Sequence, residues 1–124
     1  MDNIKLYLVL IIILIIILTI GLWYYHFSKY FYGTSKLILY YTPWCHHCTE
    51  LKPKWNNFIE DNNGKFNNIN IESIDCDENK EIANRYKIEN IPSVILHRGE
   101  DNILYKGDKN IEDIKKWVLE EIKN

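Results

Sequence analysis

The chain has 124 residues and a mass of 14.9 kDa, which is the size of a single domain. Its net charge of −2 excludes a generally basic nucleic-acid-binding protein, because recognition of phosphates needs clustered Lys and Arg side chains. Three cysteines are too few for a small fold held together by disulfides. We therefore expect a small domain with its own apolar core and no nucleic-acid partner.

The apolar residues are concentrated near the N-terminus. In residues 6–25, 18 of 20 side chains are apolar and none is charged. A helix of this length spans about 30 Å, the thickness of a bilayer hydrocarbon core. Trp23, Tyr24 and Tyr25 end the run with aromatic side chains of the kind found at headgroup level. The sequence predicts that residues 1–25 form a transmembrane anchor that contacts the membrane through residues 6–25.

A cleaved signal peptide and a buried core helix are the alternatives for this segment. Signal peptides have a shorter apolar run, about 7–15 residues, that ends at small residues, and a core helix shows an apolar stripe on one face. The flanking charges of Asp2, Lys5, Lys29 and Lys36 give only a slight positive-inside bias, so both orientations stay open. We expect a single-pass protein of the endoplasmic reticulum or another endomembrane, with a virion membrane as the alternative.

Beyond a linker at residues 26–36, short apolar runs predict strands and a 3.6-residue spacing predicts helices. The predicted strands are residues 37–41, 69–75, 93–98 and 103–106, and the predicted helices are residues 45–61, a short helix capped by Asp77, and a last helix capped by Asn110. Strand-helix-strand order implies parallel neighbours, and the late hairpin adds an antiparallel edge. Residues 37–124 are therefore expected to form one α/β domain, a βαβαββα unit with a four-stranded mixed sheet.

One group of residues carries recognisable chemistry, and it lies at the predicted start of helix 45–61: Trp44, Cys45, His46, His47 and Cys48. Two residues between the cysteines place both sulfurs on the first helical turn, close enough for a disulfide. The helix N-terminus supplies partial positive charge that favours the Cys45 thiolate, and the two histidines act in the same sense. A stabilised thiolate is a good leaving group, so the disulfide is expected to oxidise other thiols readily.

Zinc binding is the main alternative for these cysteines. A zinc site would need a second pair of ligands at a matching spacing, whereas Cys76, His26 and His97 are isolated in the sequence. The strand-CxxC-helix context favours redox chemistry. We therefore expect a redox-active Cys45-Cys48 disulfide, with no metal and no bound cofactor.

The segment Tyr41–Trp55 (YTPWCHHCTELKPKW) resembles the active-site stretch of thioredoxin-superfamily domains, especially those of protein disulfide isomerases. Pro53 matches the proline inside the family's active-site helix, Ile91-Pro92-Ser93 resembles the cis-proline loop, and Gly107 matches the glycine after the last strand. The resemblance extends from about Lys36 to the C-terminus. It implies a thioredoxin-like fold in its minimal form.

The resemblance also implies a role for each site residue. Cys45 would be the attacking nucleophile and Cys48 the thiol that resolves the mixed disulfide. Trp44 would shape the surface beside the sulfurs, and Ile91-Pro92, with a cis peptide bond, would bind an extended substrate segment. His47 matches the histidine that isomerases carry before the second cysteine.

Three positions depart from the family pattern. Leu39 stands where thioredoxins and isomerases have a buried carboxylate, and Ser73 stands where its lysine partner is common. His46 replaces a small residue. In the family the buried carboxylate is the implied proton acceptor of the resolving cysteine. Without it, we expect either that resolution is slow or, as a hypothesis, that His46 and His47 serve as proton acceptors.

The sequence therefore predicts a membrane-anchored thiol-disulfide oxidoreductase that oxidises or isomerises disulfides in proteins and exchanges electrons with an unidentified redox partner. Cys76 is expected to be a buried structural thiol. The alternatives are a cytosol-facing thioredoxin-like reductase and a non-enzymatic thioredoxin-like adaptor.

Overall fold

The structure is a computed structural model that describes residues 2–31 and 35–124. It divides into two compact units, Met1–Gly33 and Thr34–Asn124. The helices are α1 (Asp2–Phe31), α2 (His46–Asp61), α3 (Lys80–Arg85) and α4 (Ile111–Lys123). The strands are β1 (Lys36–Tyr41), β2 (Lys65–Phe66), β3 (Ile69–Asp75), β4 (Ser93–Arg98) and β5 (Asp101–Leu104).

The first unit contains the long helix α1. Its segment Asp2–Ser28 is long and apolar enough to cross a bilayer, and the apolar side chains of this segment are exposed on every face. The helix includes residues 26–31 of the predicted linker, and the Trp23 and Phe27 rings stack at 5.5 Å between centroids. The predicted linker residues 32–34 lie outside the described residues.

The second unit is a mixed sheet with the strand order β2-β3-β1-β4-β5. Strand β1 runs parallel to β3, as the strand-helix-strand order predicted. The same order predicted that β4 would also run parallel to its neighbour, and this was wrong: β4 is antiparallel to β1, because the six-residue helix α3 does not carry the chain back to the opposite end of the sheet. The predicted antiparallel hairpin is confirmed by the pairing of β4 with β5. The expected α/β class is confirmed, but the prediction of four strands was wrong. The additional strand β2 has only two residues and forms a tight hairpin with β3 through Asn67 and Asn68, which both have positive φ.

Helices cover both faces of this sheet. Side chains of β1 alternate between the faces, because successive residues of a strand point in opposite directions. Leu37 and Leu39 pack with the apolar residues of α2 and α4, whereas Ile38 and Tyr40 lie on the opposite face, with Cys76 and the residues around α3. The two faces are closed by these apolar contacts: Leu51, Trp55, Phe58, Ile114 and Val118 on one side, and Ile95, Ile82, Ala83 and Tyr86 on the other.

Two element boundaries differ from the prediction for local reasons. Helix α3 begins at Lys80 after Asn79, so Asp77 is not its cap. Strand β5 covers residues 101–104 instead of 103–106, because the hairpin turn is only Gly99-Glu100, which leaves Asp101 paired with Arg98. The cap of α4 is confirmed, since the Asn110 side chain accepts a hydrogen bond from the Asp113 backbone N–H.

Gly107 contacts the core through Tyr105. A Cβ atom at this position would lie 2.6 Å from Cζ of the Tyr105 ring, which is 6% exposed and whose hydroxyl donates to the Asp108 carbonyl oxygen. The Tyr105 ring cannot move away from such a Cβ atom without disturbing the core residues that pack against it. We expect Gly107→Ala to lower the free energy of unfolding by about 1–3 kcal/mol, the usual cost of overpacking.

Urea unfolding of the purified chain, followed by tryptophan fluorescence, measures this change. Lys106→Ala is the matched control, because Lys106 is the exposed neighbour of Gly107. A Gly107→Ala variant as stable as this control would contradict the prediction.

Candidate active site

The candidate site is built on the first turn of α2. Cys45 is the N-cap residue, with extended backbone angles, and its carbonyl oxygen accepts hydrogen bonds from the N–H groups of Cys48 and Thr49, both at 3.1 Å. The Cys45 N–H donates to the carbonyl oxygen of Thr42 at 3.3 Å. These bonds place the two cysteines on one helical turn, and both are free thiols.

The two thiols differ in environment. Cys48 is 1% exposed and Cys45 is 8% exposed. Burial is the main cause that raises the pKa of Cys48 to about 12, the neighbouring Cys45 side chain acts in the same direction, and the backbone of Thr42 acts in the opposite direction. Cys48 is therefore a neutral thiol at physiological pH.

The loop before β4 lies against Cys45. The Cys45 thiol donates to the carbonyl oxygen of Ile91, with 3.7 Å between sulfur and oxygen, and the Ile91-Pro92 peptide bond is cis. Pro92 is buried, and Ser93, the first residue of β4, hydrogen-bonds to Asn90 across the loop. The structure thus brings together four of the predicted site residues, Cys45, Cys48, Ile91 and Pro92.

Trp44 lies on the surface beside the thiols, 74% exposed. Its indole Nε1 donates to the Asp77 carboxylate at 2.8 Å, and the Asp77 N–H is itself bound to the Asp75 side chain at 2.8 Å. Asp77, which the sequence suggested as a helix cap, instead orients the indole. No feature of the sequence pointed to this role, because the two residues are 33 positions apart.

The two histidines are exposed. His46 Nε2 lies 4.0 Å from the Glu50 carboxylate, and His47 lines a groove that also includes Ile91 and Pro92. Neither imidazole hydrogen-bonds to a cysteine in the described part of the chain. Their role as proton acceptors stays a prediction.

Two of the three departures from the family pattern lie on the neighbouring strands β1 and β3. Leu39 is fully buried in the core and pairs with Ser73 across β1 and β3. Among residues 2–31 and 35–124, the buried polar side chains are Thr42 and Ser93, and neither is a carboxylic acid. The Cys48 proton therefore has no buried carboxylate as its acceptor within this part of the chain.

The isolated residues of the zinc alternative lie in different surroundings. His97 hydrogen-bonds to the Tyr40 hydroxyl at 2.8 Å and to the Asn102 side chain, and burial lowers its pKa. Cys76 is buried beside Tyr40, and burial raises the pKa of its thiol. The described residues contain no group of three or more His, Cys, Asp or Glu side chains placed to hold a metal ion.

A dithiol at the start of a helix, a cis-proline loop against it and a mixed sheet beneath define a domain of the thiol-disulfide oxidoreductase type. The thioredoxin family model matches residues 26–120, and the chain belongs to the thioredoxin family.

Its relatives include protein disulfide isomerases. Protein disulfide-isomerase A6 of Mesocricetus auratus is 32% identical over 89 residues, which cover 68% of this chain and 20% of the relative. Protein disulfide-isomerase 5-1 of Arabidopsis thaliana is 28% identical over 89 residues, covering 71% of this chain and 60% of the relative.

Among solved structures, the J-Trx1 fragment of ERdj5 superposes with a TM-score of 0.64 at 21% identity, covering 79% of this chain and 48% of that one. This similarity supports the fold. Because the chain spans about a fifth of the length of several curated relatives, the similarity concerns one domain of those larger proteins.

The burial of Cys48 predicts how the second step of exchange depends on pH. If Cys48 resolves a mixed disulfide on Cys45, its thiolate is the reacting form, and below its pKa the thiolate fraction rises about tenfold per pH unit. We therefore expect the resolution rate to rise with pH throughout the range from pH 6 to pH 9.

Stopped-flow measurement of thionitrobenzoate released from a Cys45 adduct follows this rate, and Cys48→Ser controls for release that does not depend on Cys48. A plateau above pH 6.5–7 would contradict the prediction and would point to proton acceptance by an imidazole.

Proposed function

We propose that this protein is a membrane-anchored thiol-disulfide oxidoreductase that oxidises or isomerises disulfides in protein substrates. The observation that carries the proposal is the position of Cys45. Its thiol lies between the N-terminus of α2 and the carbonyl oxygen of Ile91, at a loop where an extended substrate segment can bind.

Oxidation would proceed from the Cys45-Cys48 disulfide. A substrate thiolate attacks Cys45 Sγ, the Cys45-Cys48 bond breaks, and Cys48 leaves as a thiolate that takes up a proton. A second substrate thiolate then attacks the substrate sulfur of the mixed disulfide and expels the Cys45 thiolate. Two electrons have moved from the substrate to the dithiol, and an external disulfide must remove them to complete a cycle.

Isomerisation would start from the reduced dithiol. The Cys45 thiolate attacks a substrate disulfide and releases one substrate thiolate, which remains free to attack another disulfide in the same molecule. When a substrate thiolate finally displaces Cys45, no net electrons have been transferred. Cys48 resolves the complex only when this rearrangement stalls.

The surroundings of the two sulfurs suit these steps. The partial positive charge of the helix N-terminus stabilises negative charge on Cys45, which favours this sulfur both as attacking and as leaving group. Burial raises the pKa of Cys48, so this thiol stays protonated at neutral pH while Cys45 reacts. Trp44, fixed by Asp77, presents a large flat side chain on the surface that a substrate approaches.

Turnover tests the redox assignment. The wild-type chain in detergent micelles should accelerate refolding of scrambled ribonuclease in a glutathione buffer, whereas Cys45→Ser should reduce the rate to that of buffer alone. Cys76→Ala is the matched control, because Cys76 is a buried thiol that the mechanism does not use. Turnover that persists in Cys45→Ser would overturn the assignment, and absence of turnover in the wild type would favour the adaptor.

The direction of exchange is a separate question. A reduction potential of about −180 mV would match an isomerase, and one of about −270 mV would match a thioredoxin-like reductase. Equilibration of the dithiol with glutathione buffers of known ratio measures this potential. The more negative value would favour the cytosol-facing reductase.

The anchor is part of the same proposal, and α1 supports it. Its apolar segment exceeds the roughly 20 residues that a bilayer requires, so α1 would hold the domain at an endomembrane such as that of the endoplasmic reticulum. Two arginines in place of Leu14 and Ile15 should release the protein from membranes at alkaline pH, because each costs about 2.5–3.5 kcal/mol at the centre of a bilayer.

Carbonate extraction of membranes measures this release, with Lys5→Arg as the control. Protease protection of a C-terminal tag in sealed vesicles then reports the side on which the dithiol lies. Quantitative extraction of the wild-type chain would overturn the anchor.

A further inference from the structure

An open groove begins beside the dithiol and has a volume of about 460 Å³. It is lined by His47, Glu50, Leu51, Lys54, Ile91, Pro92 and Lys109. Ile91 accepts the hydrogen bond from Cys45, and His47 precedes the resolving cysteine. A substrate segment bound at the Ile91-Pro92 loop therefore has neighbouring residues within reach of the groove.

The groove has a surplus of positive charge. Lys54 on α2 and Lys109 in the loop before α4 both line it, and neither ammonium forms an ion pair with a carboxylate in the described ranges 2–31 and 35–124. Glu50 is the one acidic residue of the lining, and its carboxylate lies 4.0 Å from Nε2 of His46, which does not line the groove.

Lys109 is held in place by Tyr105. Its ammonium lies 3.4 Å from the Tyr105 carbonyl oxygen and 5.2 Å from the centroid of the Tyr105 ring. An ammonium has three N–H groups, and one bond to a carbonyl leaves two for an incoming acceptor. Tyr105 belongs to the core, so the position of this charge is set by the fold.

We propose that Lys54 and Lys109 make the groove a subsite for an acidic side chain, Asp or Glu, within about three residues of the reacting cysteine of a substrate. Three residues of extended chain span about 10 Å, which is a suitable reach for a groove of this size. The inference rests on the proposed function, because the subsite is defined relative to a substrate bound to Cys45.

Exchange with matched peptides tests the proposal. The probes are short peptides whose single cysteine carries a thionitrobenzoate disulfide, with Glu, Gln or Lys at the three positions on either side of it. The full chain in neutral detergent micelles reacts with each probe, and the second-order rate constant is divided by that of glutathione with the same probe, to remove differences in intrinsic reactivity.

At low salt we expect the Glu peptide to react about three- to fivefold faster than the Gln peptide, and the Lys peptide to react more slowly than both. This is the size of effect that exposed charge pairs produce, and 0.5 M salt should reduce it because such pairs are screened. The Lys54→Gln/Lys109→Gln variant should lose the preference, and Lys54→Glu/Lys109→Glu should reverse it.

Lys106→Gln/Lys116→Gln is the matched control, because it removes the same charge from two exposed lysines outside the groove and should keep the preference. Equal rates for the Glu and Gln peptides with the wild type, or a preference that survives Lys54→Gln/Lys109→Gln, would overturn the subsite while leaving the redox function intact. Failure to react with every peptide would overturn the proposed function itself.

Discussion

The carbonyl oxygen of Cys45 is the atom on which the site depends. It accepts the N–H groups of Cys48 and Thr49, so a single hydrogen-bonded turn starts α2 and also sets the spacing of the two sulfurs. The same turn leaves Cys45 at the N-cap, where the helix dipole favours negative charge, and carries Cys48 into the protein. The Cys45 sulfur therefore lies where it can react with a substrate, whereas the Cys48 sulfur is buried as a neutral thiol. This difference follows from the direction of the helix and needs no further catalytic group.

This arrangement makes deprotonation of the buried Cys48 thiol unfavourable. Most domains of this type are expected to pair the buried thiol with a carboxylate, and here the corresponding position is Leu39, fully buried in an apolar cluster. The backbone N–H of Thr42 offsets a small part of the penalty, since it is the one contact that lowers the pKa of Cys48. A proton that leaves this thiol must reach solvent or an exposed base. Resolution of a mixed disulfide is consequently expected to be slow at neutral pH.

Local pattern was enough to predict most of the domain. The strands at residues 69–75 and 93–98 and the cap at Asn110 followed from apolar runs and capping chemistry. The helix that follows Cys45 was predicted from the 3.6-residue spacing of its apolar residues. The features that were not predicted are contacts between residues far apart in the sequence and elements of very few residues. Strand β2 is two residues long, too short for any periodicity, and Asp77 was read as a cap because its true partner, Trp44, is remote in sequence. The groove could not be predicted either, because Lys54 and Lys109 line the same groove only after α2 and the loop before α4 have folded together.

Slow resolution and a charged groove have a joint consequence for specificity. A mixed disulfide on Cys45 can be broken in two ways, by attack of Cys48 or by attack of a second thiol of the substrate. The products depend on the ratio of the rates of these two reactions. Burial of Cys48 lowers the first rate for every substrate alike. An ion pair with Lys54 or Lys109 acts instead on the substrate, because it keeps the bound segment at the Ile91-Pro92 loop while its other cysteines rearrange. Substrates that fit the groove would then be released mainly by their own second thiol, and those that do not fit would be released mainly by attack of Cys48. Discrimination of this kind lies in the ratio of the two rates, so it requires no difference in the chemistry of the sulfur itself.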